Sequence, residues 1–117
     1  MQPDHGMSYW EEKIMCQIFA GQDPRRYAAT TRRMRINRQS TSIRLENLFW
    51  DVLDELAESE GLSTAAFVSK LQDEVVLLHG EPVNFSSLLR CTCLVYLDRK
   101  QSLARAPTRR EPLDMSA

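Results

Sequence analysis

The chain has 117 residues, 43% hydrophobic and 26% charged, with a net charge of −1, which bounds it to one domain with tails. No apolar run approaches the roughly 20 residues of a membrane-spanning helix, and Met1 to Trp10, with Pro3, Asp4, His5 and Gly6, lacks the basic-then-apolar order of a signal peptide. Three cysteines, Cys16, Cys91 and Cys93, fit a reducing compartment, so a cytoplasmic protein is expected.

The near-neutral total hides a sorted distribution. From Arg25 to Arg44 there are seven arginines and no acid, whereas Leu45 to Glu81 carries nine acids and one base, Lys70. The basic block falls on strand-like sequence and the acidic block on helical sequence. A positive surface aimed at a polyanion follows from that sorting.

In chain order, residues 1–14 read as a weakly ordered extension, with Tyr9, Trp10 and Ile14 available to dock on the body. Cys16 to Phe19 is a short apolar run, read as an edge strand closed by Gly21 and Pro24. Pro24 to Thr31 fits a short helix or loop. Arg32 to Ile36 alternates, with Met34 and Ile36 on one side and Arg33 and Arg35 on the other. Asn37-Arg38 then offers a two-residue hairpin turn, since Asn tolerates positive φ. Gln39 to Leu45 alternates more strictly: Ser40, Ser42 and Arg44 face one way, Thr41, Ile43 and Leu45 the other. A lone strand is not stable, and a two-stranded ribbon is marginal without a packed partner.

A first helix is expected from Glu46 or Asn47 to Glu60. Its apolar stripe is Phe49, Leu53, Leu56 and Ala57, widened by Trp50 and Val52, with Asp51, Asp54, Glu55 and Glu58 outside. Gly61 supplies a left-handed terminator and Ser63 the next N-cap. The second helix, Thr64 to His79, carries Phe67, Leu71, Val75 and Leu78, thickened by Val68, Val76 and Leu77, and ends at Gly80 and Pro82. A third starts near Asn84 or Ser86 and runs through Leu97. Residues 98–117, rich in Arg, Pro and Ser, read as a disordered tail.

Enzymatic chemistry finds no foothold. His5 and His79 stand alone, and His79 sits at a helix C-terminus, where a cation is favoured anyway. Cys91 and Cys93 diverge on a helix and have no zinc-ligand spacing; Cys93 reads as a core residue and Cys91 as partly buried. The four glycines are scattered singly, so no phosphate-cradling loop is present. Neither catalysis, a metal nor a cofactor is expected. What remains is binding. Ser40, Ser42 and Arg44 are hydrogen-bonding residues suited to base edges, Arg32, Arg33, Arg35 and Arg38 can reach phosphates, and the amides at Ser63 and Thr64 open a helix N-terminus.

The order strand, helix, Gly-x-Ser turn, helix over residues 41–78 resembles the ribbon-helix-helix (Arc/MetJ-type) fold of bacterial DNA-binding proteins. The resemblance rests on Thr41-Ser42-Ile43-Arg44-Leu45-Glu46, Phe49-Trp50, Leu53, Leu56-Ala57, Glu60-Gly61-Leu62-Ser63 and the Phe67/Leu71 stripe. The run from Thr41 to Leu53 is similar to an uncharacterised bacterial branch with an added N-terminal hairpin and an added C-terminal helix. Asn84-Phe85-Ser86-Ser87 and Met15-Cys16 fit that branch, extending the resemblance over residues 15–97.

The resemblance implies a mainly α fold with a short β-ribbon. It implies an intertwined homodimer in which two copies of Gln39–Leu45 pair antiparallel and enter the major groove of double-stranded DNA. Ser40, Ser42 and Arg44 then read bases, Arg44 suiting guanine O6/N7, and the Ser63 and Thr64 amides hold phosphate. Because serines discriminate bases weakly, readout through DNA shape or water is expected beside them. Should Arg32–Ile36 pair with the ribbon strand, the sheet widens and Arg33 and Arg35 join the reading face. A sequence-specific transcriptional regulator follows. The rivals are an antitoxin whose tail, with Leu103, Leu113 and Met115, folds on a toxin, and a dimerisation module that binds protein through Tyr9, Trp10 and the acidic helix faces.

Overall fold

The computed structural model describes residues 16–81 and 84–105. The expectations for residues 1–14, for Pro82 and for the tail beyond 105 lie outside the described residues. Residues 16–20 are helical. They are followed by α1 (Pro24–Tyr27), β1 (Ala29–Ile36), β2 (Gln39–Glu46), α2 (Asn47–Ser59), α3 (Thr64–His79) and α4 (Phe85–Arg105).

The hairpin forms as its local chemistry dictates. Asn37 and Arg38 both take left-handed backbone, with φ of 51° and 74°, the turn geometry that matches the twist of antiparallel strands. β1 and β2 pair from Ile36 with Gln39 through Arg33 with Ser42 to Ala29 with Glu46. β1 therefore begins at Ala29 rather than Arg32. Asn47 accounts for the earlier start, donating its amide to Ala28 and its side-chain Nδ2 to Arg25 and so drawing the lead-in onto the head of α2.

One face of the hairpin is inward. Ile36, Ile43 and Leu45 join Trp50, Val52 and Leu53 of α2, Val68 of α3, and Leu89 and Cys93 of α4 in one core. Helix boundaries follow their caps: Gly61 at φ 72° ends α2, the Ser63 hydroxyl accepts the Ala66 amide at 3.1 Å, and Asn84 accepts the Ser87 amide at 3.1 Å. α4 is tied across the body by Arg90, which donates to Glu46 at 3.0 Å, and by Tyr96 and Lys100, which both engage Glu55. Burial pushes the Cys93 thiol up to about 11, so it is an inert core sulfur.

Several expectations are overturned. Cys16–Phe19 is helix, not edge strand, the Gly21 amide closing a turn onto Gln17 at 2.8 Å. A four-residue run with three apolar residues is too short for its period to distinguish the two states. The third helix passes Asp98 and runs to Arg105: the segment holds Arg, Lys, Gln, Leu and Ala, all good helix formers, and Lys100 anchors it. Cys91 is exposed. Asp54 and Glu55 are not simply solvated, since each is ion-paired. On α3, Leu77 and Leu78 are 86% and 75% exposed in the single chain.

Candidate nucleic-acid interface

The register sorts the hairpin side chains into two sets. Thr31, Arg33 and Arg35 of β1 and Ser40, Ser42 and Arg44 of β2 are all exposed, while Arg32, Met34, Ile36, Thr41, Ile43 and Leu45 are half-buried or buried toward the helices. Each outward arginine faces a small polar partner across the strands: Arg35 opposite Ser40, Arg33 opposite Ser42, Arg44 opposite Thr31. No two guanidiniums oppose directly, which limits the like-charge penalty. Among the described residues, none of Arg33, Arg35, Arg38 and Arg44 forms an ion pair. Among the described residues, the face is cationic and carries no acid.

The edge of β2 is equally specific. In a two-residue hairpin the pair flanking the turn, Ile36 and Gln39, exchanges both hydrogen bonds, and bonded pairs then alternate along the ladder. Ser40, Ser42 and Arg44 fall in the non-bonded pairs, so their N–H and C=O groups point away from β1. The sheet has only the order β1-β2, and that outer edge is a template for another strand.

Arg32 corrects the sequence reading. Expected among the phosphate-contacting arginines, it turns to the helix side. Its two terminal nitrogens donate to both carboxylate oxygens of Asp54 at 2.9 Å each, and its guanidinium lies 4.4 Å from the centre of the Trp50 ring. Strand parity carries this signal, because Arg32 shares its side with Met34 and Ile36. Asp54, 22 residues away, is not foreseeable as its partner.

The two hydroxyls at the start of the second helix are engaged within the chain. Thr64 donates its hydroxyl to Asp54 at 2.6 Å, and Ser63 is spent on its cap. Arg32 first, then Thr64, hold the Asp54 carboxyl below its usual value of 3.8, against a burial contribution that raises it. A depressed carboxylate stabilises the fold above its unfolded value, and that contribution is lost as pH falls through the lower folded value. Asp54→Asn is therefore expected to lose less stability than wild type between pH 5 and pH 3 in thermal melts. The difference is under about 1 kcal/mol, given the partial exposure of the pair.

Arg38 is the strained member. A non-glycine residue at φ 74° costs on the order of 1 kcal/mol, while Asn37 is tied to α3 through Ser69 and Gln72. Arg38→Gly is expected to raise the melting temperature by a few degrees and to weaken DNA binding in the same preparation. A gain in stability with unchanged binding would leave Arg38 without a role in the interface.

Among the described residues no group of three or more His, Cys, Asp or Glu is placed to hold a metal, and no helix is long and apolar enough to cross a membrane. The ribbon-helix-helix domain model matches residues 29–97, from the first residue of β1 into α4. Among solved structures, an uncharacterized protein from Bordetella pertussis Tohama I matches with a TM-score of 0.71 at 41% identity, over 80% of this chain and 74% of that one. The comparison with curated proteins gives no match. With the hairpin, the helix pair and the first thirteen residues of the third helix inside the family match, the chain belongs to the ribbon-helix-helix domain family, whose members are DNA-binding modules.

Proposed function

We propose that the protein is a sequence-specific DNA-binding transcriptional regulator that acts as a homodimer. Two copies pair β2 to β2 through the outward backbone groups of Ser40, Ser42 and Arg44, and the same residues project into the major groove. Arg44 is the strongest base reader, bidentate to guanine O6 and N7; Ser40 and Ser42 contribute shorter contacts and bridging waters. The observation that carries the reading is the exposed, acid-free face bearing Arg33, Arg35 and Arg44 beside an unpaired strand edge.

The test is selection from a randomised duplex library by the full chain, followed by affinity measurements across a salt series. Enrichment of a pseudo-palindromic site is expected, and Arg44→Ala should cost roughly 1–3 kcal/mol on that site and relax its preference. Equal losses on selected and random DNA would remove Arg44 from base readout, and no enrichment would remove the regulator reading.

A second reading, that the head also carries a partner protein, is favoured by α4. Leu94 and Leu103 are 58% and 81% exposed, and an apolar groove of about 370 Å³ runs between Leu56 of α2 and Leu88 and Val95 of α4. An antitoxin would use such a helix. If so, Leu94→Glu should abolish partner capture while leaving DNA affinity intact.

A further inference from the structure

The added strand changes how this sheet can meet a groove. Resting on the β2-to-β2 dimer proposed above, the sheet has the order β1-β2-β2-β1. The two inner strands lie about 4.8 Å apart and the two outer strands about 14 Å apart, three such spacings. The major groove of B-form DNA is about 12 Å wide. A two-stranded ribbon fits within it; four strands do not. The inner pair descends between the walls and the outer pair comes to rest over the sugar-phosphate backbones. The outward residues of β1 are Thr31, Arg33 and Arg35, so each β1 places two guanidiniums above a wall, one wall per protomer.

Arg32 is not available to phosphate, since it is clamped on Asp54 on the helix side of the sheet. The cations that β1 offers to phosphate are Arg33 and Arg35.

We infer that Arg33 and Arg35 of β1 grip the phosphates on both walls of the groove, and that the ligand is B-form duplex DNA. A-form RNA has a deep, narrow major groove, so neither pair of strands enters it and the two arginine rows lose their walls.

The test uses the full chain, a 30-base-pair mixed-sequence DNA duplex and the RNA duplex of the same sequence, with fluorescence anisotropy from 50 to 300 mM KCl. Each phosphate contact contributes about 0.9 to the slope of log affinity against log salt, so the four guanidiniums of a dimer contribute about 3 to 4. Arg33→Gln with Arg35→Gln, both exposed and checked for folding by thermal melt, should lower the slope by that amount. The RNA duplex should bind at least tenfold more weakly. A wild-type slope in the double variant, or equal affinity for RNA, overturns the inference while DNA binding stands. Failure of the wild type to bind either duplex overturns both this inference and the functional reading beneath it.

Discussion

Trp50→Ala is expected to destabilise the chain by about 3–5 kcal/mol, the range for truncating a fully buried aromatic residue, against a total of roughly 5–15 kcal/mol for a domain. Trp50 is 1% exposed, and three elements meet on it. Its ring packs in the core with Leu45 and Leu53, its Nε1 donates to the Thr30 carbonyl of β1 at 2.9 Å, and Arg32 covers its face. Truncation opens a cavity, removes the Nε1 hydrogen bond to Thr30 and strips the stacking surface from the Arg32–Asp54 pair. Trp50→Phe keeps much of the volume but loses the hydrogen bond, and should cost distinctly less. Chemical denaturation of the two variants separates packing from the polar contact. Equal costs would place nearly all of the effect in the Nε1 bond.

The second large effect falls on assembly rather than on the fold. Ser42→Pro removes an N–H that the hairpin register directs away from β1, so no intrachain bond is broken. Proline is tolerated on an edge strand in that orientation, and Thr41 before it is already extended. The variant is expected to keep its helical circular dichroism, to sediment as a monomer, and to lose at least about a hundredfold in DNA affinity, because half of the salt-dependent contacts go with the second copy. Ile43→Pro is the contrasting substitution. It breaks a ladder bond to Arg32 and disturbs a residue 4% exposed, and should unfold the hairpin. A Ser42→Pro protein that remains dimeric would place the dimer contact elsewhere than β2.

Local chemistry makes much of this fold legible in the sequence. Asn37-Arg38 specifies a tight turn, Gly61 and Ser63 mark the corner between α2 and α3, and Asn84 caps α4; each is a short-range signal of backbone conformation or unsatisfied amides. Period-two alternation sorts Ser40, Ser42 and Arg44 from Ile43 and Leu45 for the same reason. What escapes are features settled by distant partners. Arg32 reads as one more arginine in a basic block until Asp54 and Trp50 are placed beneath it. Residues 98–105 read as a charged tail because their helix is held by Glu55, 45 residues before Lys100. Cys16–Phe19 misleads because so short a segment carries no period. The exposed ends of α3 and α4 are a further case, since a hydrophobic stripe announces burial without naming the surface that buries it.

Sedimentation of the full chain with a duplex carrying its selected site addresses the whole account at once. Two protomers of 13.5 kDa each should travel with every site, and the free protein should already sediment as that pair. A single protomer per site, or a chain that leaves the duplex behind, would contradict the shared strand edge and the cationic face it is held to create.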